Sequence, residues 1–135
     1  MSVTPGGSGP AVPEPLGAEV LARVFSALAA DSAGFVDGLA ARLAAALPGR
    51  TRVDHGGLLG RGPVRRIAVD LGDQRFELHH DRGRLETRVA TAVRGVVIRT
   101  EDVPVDGWLA GLARALSAEA DASQAVRAAL ETAFL

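Results

Sequence analysis

The chain contains no cysteine, which excludes disulfides, zinc ribbons, iron–sulfur clusters and thiol nucleophiles together. It also lacks tyrosine, and all 15 of its basic residues are arginine. Without lysine there is no Schiff-base chemistry and no phosphate-loop lysine. No serine stands in a G-x-S-x-G elbow, so the arrangement of the serine hydrolases is missing as well. Long apolar runs are scarce: the best, Val20 to Ala30, is broken by Arg23 and ends at Asp31, short of the roughly 20 residues that span a bilayer. Met1 to Glu14 bring no basic side chain and no apolar core, so they do not read as a secretory leader. These absences argue against an enzyme and against a bound cofactor or metal. They point to a cytoplasmic protein with no membrane span.

What remains is one ordinary domain. The chain has 135 residues, 47% of them hydrophobic and 23% charged, with a net charge of −1, a composition typical of a globular fold. Such a length buries about two-thirds of the unfolded surface. The alanine-rich, all-arginine usage reads as coding bias, so arginine alone does not signal phosphate recognition. Pro5, Pro10, Pro13 and Pro15 with Gly6, Gly7 and Gly9 make residues 1–15 a disordered arm, leaving 16–135 as a single α+β domain.

Hydrophobic period divides that domain in three. Leu16, Val20, Val24 and Leu28, then Phe35, Leu39, Leu43 and Leu47, recur every four residues until Pro48-Gly49 stops the run. Asp31-Ser32 with Gly34 interrupts it, giving two helices or one kinked helix, slimmed by Ala40, Ala41, Ala44, Ala45 and Ala46. From Arg50 to Thr100 the period falls to two. A short extended piece, Thr51 to His55, precedes the glycine-rich loop; Ile67, Val69 and Leu71 then alternate with Arg66, Ala68 and Asp70. Gly72-Asp73 fits a two-residue hairpin turn. Phe76 and Leu78 alternate with Arg75, Glu77 and His79, Asp81-Arg82-Gly83 supplies another turn, and Leu85 to Val93 alternate again. Gly95 marks a bend or bulge before Val96-Val97-Ile98. Tight turns forbid parallel pairing, so this is an antiparallel meander of four to five strands with one dry face. Beyond Pro104, Asp106 is placed to cap a helix carrying Trp108, Leu109, Leu112 and Leu116. Asp121 with Gln124 resembles a capping box and sets off a last helix lined by Val126, Leu130 and Phe134. The expected fold class is two-layer α+β, the meander flanked in sequence by N- and C-terminal helices that pack on one face.

Charge follows these thirds. Residues 50–99 hold eleven arginines against six acids, while the segments on either side are each net acidic. The open sheet face is therefore expected to be basic, with Arg66, Arg75, Arg88 and Arg99 as partner-binding residues for an acidic protein surface. The competing reading pairs those arginines across strands with Asp70, Glu77 and Glu86. Nucleic acid is disfavoured, because the pI is about 6.3 and Phe76, the sheet's one aromatic, falls on the apolar face where no base can stack.

The remaining candidates are few. Leu58 and Leu59, inside GGLLGRGP, are bound either for the core or for a partner. The glycines around them match neither GxGxxG nor GxxxxGK[ST]. His79-His80-Asp81 is the densest metal-capable cluster, but adjacent strand residues point to opposite faces; a site there would need Asp81 and a distant ligand such as His55. Glu101-Asp102 before Pro104 reads as a solvated turn. Phe35 and Trp108 are candidate linings of an apolar cavity between the sheet and its thin helices.

Short helices flanking an antiparallel meander resemble, in outline, the small secretion-chaperone-like α+β proteins that dimerise and hold partner segments. In that family a helix interrupts the strands, and no residue is carried over from it here. The sequence thus leads to a non-catalytic interaction or accessory protein, a homodimer that binds a protein partner through the basic face or an edge of its sheet. A small-molecule binder with an interlayer cavity is the alternative.

Overall fold

The computed structural model describes residues 17–30 and 34–135. The proline-rich arm, Leu16 and the Asp31-Ser32 interruption lie outside the described residues. Two helices, α1 (Ala18–Ala30) and α2 (Phe35–Ala46), precede five strands, β1 (Thr51–His55), β2 (Val64–Leu71), β3 (Gln74–Asp81), β4 (Arg84–Val93) and β5 (Val96–Asp102). Helices α3 (Val105–Ala122) and α4 (Gln124–Phe134) complete the chain. The strands form one antiparallel sheet in the order β1-β2-β3-β4-β5. This is the α+β meander that the alternating period implies.

Turn chemistry sets the register. Gly72 takes φ +63° between β2 and β3; Arg82-Gly83 and Arg94-Gly95 are positive at both positions, at +51° and +78° and at +54° and +81°. Two consecutive positive φ values make the type I′ hairpin, whose twist matches that of the strands. Gly95, expected as a bend or bulge, therefore completes a full hairpin turn. The bulge falls later: Thr91 faces Arg99 and Ala92 faces Val97, which leaves Ile98 unpaired.

One face of the sheet is dry. Ile67 and Val69 of β2 face Leu78 and Phe76 of β3, and all four are buried with Leu39, Leu43, Leu112 and Leu116 in one core. Helix α2 lies on β1 and β2 and α3 on β2 and β4, while α1 and α4 pack mainly on those two helices. Phe25 and Phe134 meet edge-on at 5.5 Å to join α1 and α4. Trp108, fully buried, is the keystone: its ring meets Phe76 edge-on at 6.0 Å, and its Nε1–H donates to the Arg88 carbonyl of β4 at 3.1 Å. A Cβ on Gly111 would stand 3.4 Å from the Phe76 ring, at van der Waals contact, so this turn of α3 lies directly over Phe76. Burying each such large apolar side chain contributes about 1.5–3 kcal/mol.

Two helix caps differ from expectation. Helix α3 starts at Val105 without a side-chain cap, so Asp106 lies in its first turn and acts through the helix dipole. The break between α3 and α4 falls where the sequence placed it, but Ser123 is the cap: its Oγ accepts from the Val126 amide at 3.3 Å, and Asp121 remains inside α3. Among the described residues, no helix is long and apolar enough to cross a membrane.

Candidate functional site

The face of the sheet away from the helices is charged but not basic. The ladder places Asp54, Arg66, His79 and Glu86 in one row; Arg52, Ala68, Glu77, Arg88 and Asp102 in the next; and Asp70, Arg75, Ala90 and Thr100 in a third. Both signs alternate along and across these rows. Arg66 pairs with Glu77 at 3.3 Å, Arg75 with Asp70 at 2.7 Å, and Arg88 lies 3.5 Å from Asp102 and 3.8 Å from Glu86. The hydrogen bond from Arg75 to Asp70, helped by the carboxylate's charge, raises the Arg75 pKa. Ala68 and Ala90 are buried on this face although no helix covers it, as expected where the aliphatic stems of long neighbours lie over them. The basic surface expected from composition is thus a lattice of cross-strand pairs. The arginine excess sits in the connections instead, at Arg61, Arg82 and Arg94.

Arg99 does not belong to that face. It stands opposite Thr91, on the helix-facing side of the sheet, and the bulge at Ile98 is the reason. Counted from the Arg94-Gly95 turn without a bulge, residue 99 would face Ala90 on the open side; one inserted residue moves it to the other. There Arg99 pairs along its own strand with Glu101 at 2.5 Å.

The strand carrying it is the outer edge. Every residue of β5 is exposed, and the adjoining hairpin displays Val93, Val96, Val97 and Ile98, the last 63% exposed. Val96-Val97-Ile98, expected as strand, is strand that no described residue covers; the signal for this in the sequence is a contiguous apolar run without polar alternation. Backbone direction can be assigned as well. The Val103 amide donates to the Thr87 carbonyl at 3.0 Å, and inward-facing residues alternate along an antiparallel pair. The amides and carbonyls of Glu101 and Arg99 therefore face β4, and those of Thr100 and Asp102 face outward.

The other candidates separate. Leu58 and Leu59, 88% and 83% exposed, stand on a 3₁₀ turn with Leu59 at φ +59°. Phe35 and Trp108 are buried in the hydrophobic core. His79 and His80, expected to diverge, both border one cleft at the end of the sheet, and His55 joins them there. Among the described residues no three of His, Asp and Glu gather as metal ligands. Compared with family models, with curated proteins and with solved structures, the chain matches none.

Proposed function

We propose that the protein is a cytoplasmic, non-catalytic interaction module that works as a homodimer joined through β5. The observation that carries this reading is the edge: a seven-residue strand, exposed throughout, at the end of the sheet order, whose outward backbone groups face no further strand among the described residues. Such an edge is a template for another strand, and a two-fold axis lets one strand serve both subunits.

The residues of β5 select the register. A two-fold centred on Arg99 sets arginine against arginine, and one centred on Glu101 sets acid against acid. Centred on Thr100, the outward amide and carbonyl of Thr100 meet those of the second copy, and Ile98 faces Asp102 of the second copy. Arg99 then stands opposite Glu101 of the second copy twice over, in the non-hydrogen-bonded position where side chains come closest. The apolar tip continues along Val103 and Pro104 of the second copy. The result is a ten-stranded sheet whose charged face is continuous across both subunits.

Sedimentation velocity on the full chain tests this. The expected result is a concentration-dependent dimer. Thr100→Pro should abolish it while leaving the fold intact, since an outward edge amide is where proline is tolerated. Arg99→Glu should weaken it, and adding Glu101→Arg to that variant should restore it. A wild-type chain that stays monomeric at high micromolar concentration, or a charge swap that restores nothing, overturns the reading.

A further inference from the structure

All three histidines of the chain border one cleft of about 590 Å³. Register brings them together. Asp54 of β1 faces Arg66 of β2, which faces His79 of β3, which faces Glu86 of β4. An irregularity after Asp54 leaves Arg65 unpaired, and Arg65 and Arg66 both line the cleft. The end of β3 contributes His80 and Asp81, the turn after it Arg82, and the start of β4 Arg84. Four guanidinium groups and three imidazoles thus surround three carboxylates, those of Asp54, Asp81 and Glu86.

The pairing inside is loose. Arg65 lies 3.7 Å from Asp81 and Arg84 lies 3.8 Å from Glu86, while Arg66 leans away to Glu77. Arg82 makes no ion pair among the described residues, and it occupies a left-handed position, φ +51°, that hairpin turns ordinarily give to asparagine, aspartate or glycine. Planar guanidinium forks match the oxygens of a tetrahedral anion.

We propose that this cleft binds the phosphate group of a phosphomonoester through Arg65, Arg82 and Arg84, with His55, His79 and His80 lining it as further ring N–H donors. Asp54, Asp81 and Glu86 set the opposing charge, so an anion must outcompete them for the guanidinium groups. The phosphate has two sources. The neck of the Leu58-Leu59 loop touches two residues of the cleft wall: Gly62 oxygen lies 3.1 Å from His55 Nδ1, and a Cβ on Gly56 would fall 2.2 Å from Arg65 Cδ. Two exposed leucines beside a phosphate site suit a phospholipid headgroup, and the cleft alone suits a soluble phosphate.

The test follows the histidine ring protons of the full chain by NMR at one fixed pH during titration with inorganic phosphate and, separately, with sulfate, a second tetrahedral anion. Saturable, mutually competitive shifts are expected. Arg82→Ala should weaken binding about tenfold, and Arg94→Ala, in the turn between β4 and β5, should leave it unchanged. Linear, unsaturating shifts, or equal losses in the two arginine variants, overturn the proposal. Co-sedimentation with phosphatidic acid vesicles, absent with phosphatidylcholine alone and lost in Leu58→Ser/Leu59→Ser, assigns the phosphate to a lipid. Binding of inorganic phosphate without co-sedimentation assigns it to a soluble compound.

Discussion

Strands β3 and β5 differ in fate more than in greasiness. β3 offers two large apolar residues, Phe76 and Leu78, and both are buried; β5 offers three, Val96, Val97 and Ile98, and all are exposed. The meander explains the contrast. β3 sits third of five, beneath α3, and its apolar residues alternate with Arg75, Glu77 and His79, so one face can be dry and the other wet. In β5 the apolar residues are consecutive and run into a bulge, so they cannot share a face. Hydrophobic content alone does not make a core strand; period and position in the sheet do.

The largest expected effect tests the buried side of that contrast. Trp108→Ala removes the ring that joins α3 to Phe76 together with its hydrogen bond to the Arg88 carbonyl, and should cost about 3–5 kcal/mol in urea denaturation. Leu78→Ala should follow at about 2–5 kcal/mol. Ile98→Ser, measured at a concentration where the chain is monomeric, should change stability by no more than about 0.5 kcal/mol. If Ile98→Ser cost as much as Leu78→Ala in the monomer, the contrast between the two strands would be false.

How far these positions could be read in advance depends on what each rests on. Phe76 and Leu78 were legible because alternation between two glycine-bearing turns leaves one way to bury them. Arg99 was not, because a single unpaired residue at Ile98 reverses the side of everything after it and leaves no mark in composition. Ser123 was obscured for another reason: Asp121 and Ser123 can both cap a helix, and the Gln124 spacing favours the one that the chain does not use. The cleft at His55 and His79 depends on the pairing of β1, β2 and β3, a long-range register that one sequence does not state. Charge counts failed likewise on the open face, since they carry no information on which arginines fall in turns.

A smaller effect separates the charged face from both strands. Arg75→Gln removes the 2.7 Å bond to Asp70 on a partly exposed surface and should cost about 0.2–1 kcal/mol, a loss that shrinks as salt is added. A salt-independent loss of several kcal/mol would mean that the lattice is part of the core rather than a solvated layer over it.

The smallest energies belong to the edge itself, and hydrogen exchange reads them one amide at a time. The Arg99 and Glu101 amides face β4 and should be protected at every protein concentration. Those of Thr100 and Asp102 face outward, so in the monomer they meet only water and should exchange nearly as fast as an unfolded chain. In a dimer centred on Thr100 both gain carbonyl partners, and their protection should rise with concentration while that of Arg99 and Glu101 stays constant. The odd–even alternation is the diagnostic feature, because tightening of the whole hairpin would slow all four amides together. Thr100 and Asp102 amides that stay unprotected at the highest concentration would show β5 to be a bare edge, and would separate exposure from association.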